Sequence, residues 1–400
     1  MQKEISKIIS SVGTPVFVYD EKILLANIQR IFNAGLKYNL DDRIKIYIAY
    51  FANSNPHLFK AIQKKKIGIL LQTREEYIQA KRFNLINNIV VSPSFLSDSE
   101  IDFWVKENIV VNLASLEEVK YFVNKFNQAP SFRIDLTEGS TQRTAIKEYQ
   151  LFELAAFLRA KGLTPRSLHI YVGTGSSLLK MKRNFEKVID IYRQYFPETK
   201  EINLGGGFAF NYADIDPEKK HFNWEEYFKF ISRKLQERII PKDVNFVLEP
   251  GRDVFADAGS LVVSVKRIVN LKNKKNIGTD GSYVLMPSAT IRKRQHTLTF
   301  LSNEFEKLTK NNCVGVLSGS TTLSSDYLFP GEVNIPGELK EGDYIIVNDI
   351  GAYGATQHME FLNKKPCPEV LIRKEALYLI TDRGKDDDKI RYLVKSPKEL

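Results

Sequence analysis

Cysteine is scarce in this chain, which contains only Cys313 and Cys367 among its 400 residues. Two cysteines are too few for a disulfide framework or for a zinc site with four cysteine ligands. The sequence also lacks an apolar run near the ~20 residues that a membrane-spanning helix needs. Its first residues, MQKEISKIISSVG, have no apolar segment of the kind found in signal peptides. These absences predict a cytoplasmic protein.

Histidine is scarce as well, and the arrangement of the polar residues argues against several classes of site. The five histidines show no metal-ligand spacing, and no Gly-x-Ser-x-Gly segment indicates a serine hydrolase. The formal net charge is +10, but the lysines are scattered and no basic segment is interleaved with aromatic residues. We therefore expect no metal site, no nucleic-acid partner and no membrane partner.

Short apolar runs alternate with amphipathic helical stretches up to about residue 256. The runs are IKIYIAYF, IGILLQ, NIVVS, IVVNLAS, SFRIDL, SLHIYVG, EINLGGGF and VNFVLEPG. Buried parallel strands have continuous apolar runs because both of their faces are covered. Eight such strands with crossover helices predict an α/β fold of the (β/α)8 TIM-barrel type, with an open doubly wound sheet as the alternative.

After residue 256 the pattern changes to strand-like runs separated by Gly, Asn and Asp turns, as in SLVVSVKRIVNLK and DYIIVND. This pattern predicts a C-terminal β domain, either a β-sandwich or a β-barrel. The predicted organisation is a barrel at residues 13–256, a β domain formed by residues 1–12 and 257–382, and a charged tail at residues 383–400.

Three glycines, Gly205, Gly206 and Gly207, directly follow the strand EINL. Barrel enzymes place their chemistry on the loops at the carboxyl ends of the strands, so this position is a candidate site. Glycine lets backbone N–H groups approach an anion closely, and phosphate is the usual anion. A tight strand-to-helix turn explains the same glycines without any ligand, and both interpretations stay open at this point.

Two further segments follow apolar strands. In LEPGR a strand ends in Glu249, which could pair with a protonated ring nitrogen, and Gly251 with Arg252 could add phosphate contacts. The alternative is a structural Glu–Arg ion pair. In GDYIIVNDIGAYGA, Tyr353 stands close to glycines, and its hydroxyl could reach a phosphate oxygen. A tyrosine that only packs in the core is the alternative.

Taken in order, these segments resemble the pyridoxal-phosphate-dependent ornithine/diaminopimelate/arginine decarboxylase family, which has an alanine-racemase-like barrel. The resemblance extends from TPVFVYD at residues 14–20 to PCPEVLI at residues 366–372, and its motif order is most similar to diaminopimelate decarboxylase. IAYFANSNP resembles the family's cofactor-lysine strand, LHIYVGTGS its His-Ile-Gly-Ser segment, and LGGGF, EPGR and GDYIIVNDIGAY its later signatures.

The resemblance implies pyridoxal phosphate as the cofactor and assigns roles to the matching residues. In the family, the glycine triplet and the Gly-Arg pair hold the phosphate, the glutamate pairs with the pyridine nitrogen, and the tyrosine touches the phosphate. The matching cofactor-binding positions are Gly205, Gly206, Gly207, Glu249, Gly251, Arg252 and Tyr353.

The chain departs from the family at the residues that carry the chemistry. Phe51 occupies the position of the Schiff-base lysine, and phenylalanine has no nucleophilic amine. Lys45 shares the strand parity of Phe51, but six residues of strand place it about 20 Å away, and Lys60 falls on the following helix. If pyridoxal phosphate binds, we therefore expect it to bind non-covalently.

The chain also differs from the family at other positions that take part in the chemistry. Tyr171 occupies the position at which the family has a histidine stacked on the cofactor ring. Thr322 occupies the position at which the family has a cysteine that acts as a proton donor. Asp326 is retained and is a candidate for the substrate pocket. Arg133 and Arg143 lie where the family binds substrate or positions loops, and neither is assigned a role. No catalytic residue is therefore assigned from the sequence.

These changes lead to three hypotheses about function. The first is a non-decarboxylating pseudoenzyme or repurposed family member in an amino-acid or secondary-metabolite pathway. The resemblance implies a homodimer, or a heterodimer with an active paralogue, and a small amino-acid-like ligand. The second is an altered enzyme that binds pyridoxal phosphate or another phosphate ligand. The third is an amino-acid decarboxylase that uses an unforeseen lysine.

Overall fold

The computed structural model describes residues 2–63, 67–136, 144–214, 216–238, 240–310 and 312–385. Arg143 and most of the predicted charged tail, residues 386–400, lie outside these ranges. Contacts divide the described chain into two compact units. Of the described residues, one unit contains those within 25–210 and 221–253, and the other contains those within 1–24, 211–220 and 254–400.

The strands in chain order are β1 Val16–Asp20, β2 Ile44–Ala49, β3 Gly68–Leu71, β4 Ile89–Val91, β5 Val110–Leu113, β6 Ser131–Asp135, β7 Ile146–Lys147, β8 Ser167–Ile170, β9 Glu201–Asn203, β10 Asn245–Leu248, β11 Gly259–Asn270, β12 Lys275–Thr279, β13 Leu298–Leu301, β14 Lys307–Leu308, β15 Cys313–Ser318, β16 Val333–Ile335, β17 Tyr344–Val347, β18 Glu369–Arg373 and β19 Ala376–Thr381.

The α-helices are α1 Gln2–Val12, α2 Glu21–Lys37, α3 Pro56–Gln63, α4 Arg74–Arg82, α5 Asp98–Lys106, α6 Leu116–Phe126, α7 Leu151–Ala160, α8 Leu178–Tyr195, α9 Pro217–Lys220, α10 Trp224–Glu237, α11 Arg252–Phe255 and α12 Ser288–Ile291. In the described part of the chain, no helix is both long enough and apolar enough to cross a membrane.

The first unit is a closed parallel barrel. Its strands pair in the order β5-β4-β3-β2-β10-β9-β8-β6, and a further pairing of β5 with β6 closes the ring. The short strand β7 adds to β6 in parallel. The eight strands of the ring are the eight apolar runs of the sequence, so the predicted (β/α)8 barrel is confirmed.

Amphipathic helices cover the barrel, and α10 shows how the sequence specifies them. It buries Tyr227, Phe228 and Ile231, which repeat at helical spacing. The Asn223 side chain accepts a hydrogen bond from the Glu226 backbone N–H at 2.9 Å, which satisfies one of the unpaired donors of the first turn. The apolar face of the helix therefore packs inward and the sequence also marks where the helix begins.

The second unit is built on a mixed sheet. Its main path runs β14-β13-β17-β11-β1-β18-β19, with β12, β15 and β16 continuing from β11. The predicted C-terminal β domain is therefore present. The strand β1 pairs antiparallel with β11 and parallel with β18. The predicted barrel range, residues 13–256, includes β1, whereas β1 pairs within the mixed sheet. An apolar run does not show in the sequence which distant strands it pairs with.

Candidate functional site

Four neighbouring strands of the barrel carry most of the predicted site residues at or just after their carboxyl ends. The strands β8, β9, β10 and β2 are adjacent in that order. The Glu249 backbone N–H donates to the Gly205 carbonyl at 2.9 Å, and the Ala49 N–H donates to the Pro250 carbonyl at 3.1 Å. The ends of β9, β10 and β2 are therefore joined directly, and the segments that were separate in sequence meet at one edge.

The glycine segment after β9 is packed against the neighbouring strand ends. A Cβ atom on Gly205 would fall on the Ile170 carbonyl oxygen, and one on Gly206 would fall on the Glu249 carbonyl oxygen. Gly205 has φ of +67°, which other residues rarely adopt. Packing alone therefore requires glycine at these two positions, in agreement with the structural alternative that the sequence left open.

The same segment also presents free donors. The backbone N–H groups of Gly206 and Gly207 have no acceptor among the residues that the structure describes. The Tyr171 ring lies against Gly207, with its Cε2 atom 3.5 Å from where a Cβ on that glycine would stand. The Tyr171 hydroxyl lies 2.9 Å from the Thr174 hydroxyl. The two N–H groups could therefore bind an anion beside Gly206, and the Tyr171 ring could contact an aromatic ring of the same ligand.

Glu249 is the centre of a buried polar chain inside the barrel. Its carboxylate accepts a hydrogen bond from Asn203 Nδ2 at 2.7 Å and lies 3.2 Å from His169 Nε2. Arg133 Nε donates to His169 Nδ1 at 3.4 Å, and Arg133 Nη2 donates to the Ser92 carbonyl at 2.7 Å. Because His169 Nδ1 accepts from Arg133, its Nε2 carries the proton that is donated to Glu249.

Burial and the neighbouring charges set the protonation states in this chain. Burial lowers the pKa of His169, and the positive charge of Arg133 lowers it further, which favours the neutral imidazole. Burial by itself would raise the pKa of Glu249, but the electrostatic interaction and hydrogen bond with His169, the hydrogen bond from Asn203 and the charge of Arg133 hold it below its ordinary value. The site therefore presents an ionised carboxylate held in one orientation.

Phe51 lies in a short 3-10 helix, Tyr50–Ala52, that directly follows β2. Its side chain is half-buried, whereas the neighbouring Tyr50 is fully buried and packs on Phe59 with ring centroids 4.8 Å apart. No amine is therefore supplied at this strand end by residue 51.

Three lysines illustrate where amines do lie in the barrel unit. Lys45 is at the opposite end of β2 and pairs with Glu201 at 2.8 Å, and Lys60 lies on α3. Lys147, in β7, is at the carboxyl end of the barrel, where its ammonium group binds Asp135 of β6 at 2.6 Å. The sequence did not single out Lys147, because nothing in the chain marks β7 as an extension of β6.

Three of the predicted residues lie in the mixed-sheet unit. Thr322 is exposed in a turn. The Asp326 carboxylate is buried and accepts hydrogen bonds from the Tyr283 N–H at 2.7 Å and the Thr321 N–H at 2.8 Å. Tyr353 is half-buried and has φ of +59°. These contacts favour a role for Asp326 in holding two loops together, and its place in a substrate pocket stays a prediction.

The family model "Pyridoxal-dependent decarboxylase, pyridoxal binding domain" matches residues 145–256. These residues include the glycine segment and Glu249 but not Phe51. Among curated relatives, a diaminopimelate decarboxylase of Buchnera aphidicola subsp. Baizongia pistaciae is 22% identical over 95% of this chain and 93% of that protein. An L-glutamyl-[BtrI acyl-carrier protein] decarboxylase of Niallia circulans is 25% identical over 97% of this chain and 95% of that protein.

Solved structures share the two-unit architecture. The diaminopimelate decarboxylase of M. jannaschii in complex with L-lysine has a TM-score of 0.84 at 20% identity, covering 97% of this chain and 94% of that one. The diaminopimelate decarboxylase of Helicobacter pylori complexed with L-lysine has a TM-score of 0.81 at 20% identity, covering 97% of this chain and 98% of that one.

These comparisons confirm the fold class predicted from the sequence, a TIM barrel followed by a C-terminal β domain. Residues 145–256 match the pyridoxal-binding domain of the pyridoxal-dependent decarboxylases, and over nearly its whole length the chain is similar to diaminopimelate decarboxylases.

Proposed function

We propose that the carboxyl end of the barrel binds pyridoxal phosphate without a covalent bond to residue 51. We further propose that the chain is a non-decarboxylating member of its family, either a pseudoenzyme or a protein repurposed within an amino-acid or secondary-metabolite pathway. The observation that carries this proposal is the position of Phe51, which follows β2 at the same end of the barrel as an intact and ionised Glu249.

The residues at the ring and phosphate ends fit the cofactor. An ionised, oriented Glu249 would hold a proton on the ring nitrogen, since its carboxylate oxygens can accept more hydrogen bonds than they now receive. The N–H groups of Gly206 and Gly207 would donate to phosphate oxygens, and the Tyr171 ring would lie against the cofactor ring. When bound, pyridoxal phosphate supplies an electron sink for charge that develops on the α-carbon of an amino acid.

The residues that would move protons do not fit decarboxylation of the family's kind. Phe51 provides no amine to bind the cofactor or to exchange with a substrate. Thr322 provides a hydroxyl, which at neutral pH is a weaker proton donor than the cysteine thiol of the family. The chain therefore keeps the means to bind the cofactor more fully than the means to use it.

The proposal extends to assembly. We propose a homodimer, or a heterodimer with an active paralogue, because the family builds its sites at dimer interfaces. Light scattering of the purified chain, alone and mixed with a paralogue, tests this part separately from cofactor binding. A monomer under both conditions would contradict it.

A second candidate function rests on Lys147, whose ammonium group lies at the carboxyl end of β6. An amine at this end of the barrel favours the alternative of an active enzyme that uses a lysine from outside β2. The amine is held in an ion pair with Asp135, and this pair would have to open before the amine could act as a nucleophile.

The experiment titrates the purified chain with pyridoxal phosphate, followed by borohydride reduction and peptide mass spectrometry. We expect saturable binding by equilibrium dialysis and no covalent label. The Phe51→Lys variant should gain a label at residue 51, whereas Phe51→Met, which has an unbranched side chain without an amine, should not. Decarboxylation should stay feeble in Phe51→Lys because Tyr171 and Thr322 are also changed.

Three outcomes would count against the proposal. A label on Lys147 of the unaltered chain would support the second candidate, and Lys147→Arg should then abolish it. Brisk decarboxylation by Phe51→Lys would contradict the view that the proton-transfer residues are lost. No binding of pyridoxal phosphate at all would remove the cofactor from the proposal.

A further inference from the structure

The amino-terminal end of the barrel contains a cavity of about 340 Å³. Several of its lining residues begin a strand or directly precede one. Glu201 is the first residue of β9 and Val110 the first of β5, and Arg166 directly precedes β8. Barrel enzymes place their active sites at the other end, so this cavity is distinct from the candidate cofactor site.

We call this cavity the amino-end cavity. Charged and polar side chains form much of its lining. Lys45 and Glu201 form an ion pair at 2.8 Å, and the Tyr47 hydroxyl donates to Asn88 Oδ1 at 3.1 Å. A Cβ atom on Gly68 would fall on the Tyr47 ring, so that glycine makes room for the ring inside the barrel. The wall is therefore a specific arrangement of side chains.

Arg166 is the charged group of this wall without a partner. Its guanidinium makes no hydrogen bond or ion pair with any residue in the described ranges, although Lys45 and Glu201 neutralise each other beside it. The charged lining residues are two cations and one anion, so the cavity carries one excess positive charge. A planar guanidinium is suited to bidentate binding of a carboxylate.

A second observation comes from a neighbouring cavity of about 100 Å³, which shares Arg166 and Val110 with the first. Ser131 lines it, and the Ser131 hydroxyl is buried without a hydrogen-bond partner among the described residues. An unsatisfied buried hydroxyl is costly. The unpaired guanidinium and the unpaired hydroxyl thus lie on adjoining surfaces.

The inner wall of the amino-end cavity is formed by two buried amides, Asn112 and Asn203. Asn203 also donates to Glu249 and so separates this cavity from the carboxyl end. Apolar lining is limited to three valines and the Tyr47 ring. A volume of 340 Å³ is at the lower end of ligand pockets, which start at about 300 Å³.

We propose that the amino-end cavity binds a small polar carboxylate of net charge −1, with its carboxylate on Arg166 and its hydroxyl or amino groups facing the amides. The bound molecule has only a few carbon atoms, because the cavity has room for roughly ten water molecules. This site is independent of the cofactor proposal, since it uses neither Phe51 nor Glu249.

The test is isothermal titration calorimetry of the full chain with sodium glycerate, with glycerol as the matched probe that lacks the carboxylate. We expect glycerate to bind with a dissociation constant of roughly 1 mM or tighter and glycerol not to bind. Arg166→Gln should weaken glycerate binding by about tenfold or more, because a charge-assisted bidentate contact is lost. Arg159→Gln removes the same charge from an exposed position on α7 and should leave glycerate binding unchanged.

A second variant tests the location by shape. Val110→Phe fills the cavity without changing its charge and should abolish glycerate binding. Circular dichroism establishes that each variant is folded. Absence of glycerate binding to the unaltered chain, or equal binding by Arg166→Gln, would overturn the proposal, as would equal binding of glycerol.

Discussion

The two ends of the barrel are built from the same eight strands but are held in different ways. At the carboxyl end, Glu249 and His169 are almost completely buried and hydrogen-bonded to each other. At the amino end, the Lys45–Glu201 pair is partly exposed and Arg166 has no partner among the described residues. The polar groups of the carboxyl end are thus held by buried hydrogen bonds, whereas those of the amino end are partly exposed.

The difference shows that contacts within the protein are enough to explain the residues at the carboxyl end. The glycines and Glu249 are required by packing and by the buried polar chain, independently of any ligand. These residues therefore stabilise the fold whether or not the cofactor binds. Unfolding experiments on variants of these residues measure their contribution to packing separately from cofactor binding.

The largest effect is expected at the glycine segment. Gly205→Ala should destabilise the chain by about 3 kcal/mol or more, because it adds a clash with the Ile170 carbonyl to the strain of a positive φ. Gly175 has the same φ of +67° and nothing within 4 Å of the added Cβ, so Gly175→Ala should cost only about 1–2 kcal/mol. Urea unfolding followed by circular dichroism measures both, and equal losses would contradict the packing argument.

Removal of one carboxylate from each end compares the two regions directly. Glu249→Leu should cost about 3 kcal/mol or more, because it leaves buried polar partners uncompensated. Glu201→Leu should cost about 1 kcal/mol or less, since its ion pair with Lys45 is partly exposed. The same unfolding experiment applies, and a larger loss for Glu201→Leu would reverse the comparison.

The pH dependence of stability should come from the carboxyl end. Because the pKa of His169 is lowered in the folded chain, the unfolded chain binds more protons below the ordinary histidine value of about 6.5. The free energy of unfolding should therefore fall as the pH is lowered from about 7 to about 5. His169→Gln should flatten this slope in urea titrations, whereas His57→Gln, on α3, should retain it. An unchanged slope in His169→Gln would refute the assignment.

The smallest effects are expected from deleting one tyrosine hydroxyl at each end. Tyr47→Phe removes a hydrogen bond to Asn88 and should cost about 1 kcal/mol or less. Tyr50→Phe removes a buried hydroxyl that has no partner among the described residues, so it should be neutral or stabilising by up to about 1 kcal/mol. Thermal unfolding compares the two, and a clear loss in Tyr50→Phe would indicate a partner for its hydroxyl.

Much of the fold and part of the site were predictable from local patterns. The apolar runs marked all eight strands of the barrel, and the order of LGGGF and EPGR placed the glycines and Glu249 on adjacent strand ends. The position of β1 in the mixed sheet was not predictable, because an apolar strand does not specify a distant partner. The chain of Arg133, His169 and Glu249 was also missed, because no local pattern shows which polar side chains of separate strands meet.

The fold class and the absence of an amine from the side chain of residue 51 can be read from the sequence, because apolar strand runs and a single side chain are local properties. Which polar side chains meet inside the barrel, and where a cavity remains, became visible from the three-dimensional fold. Those features depend on closure of the ring, which brings residues such as Lys45 and Glu201 into contact across 156 positions of the chain.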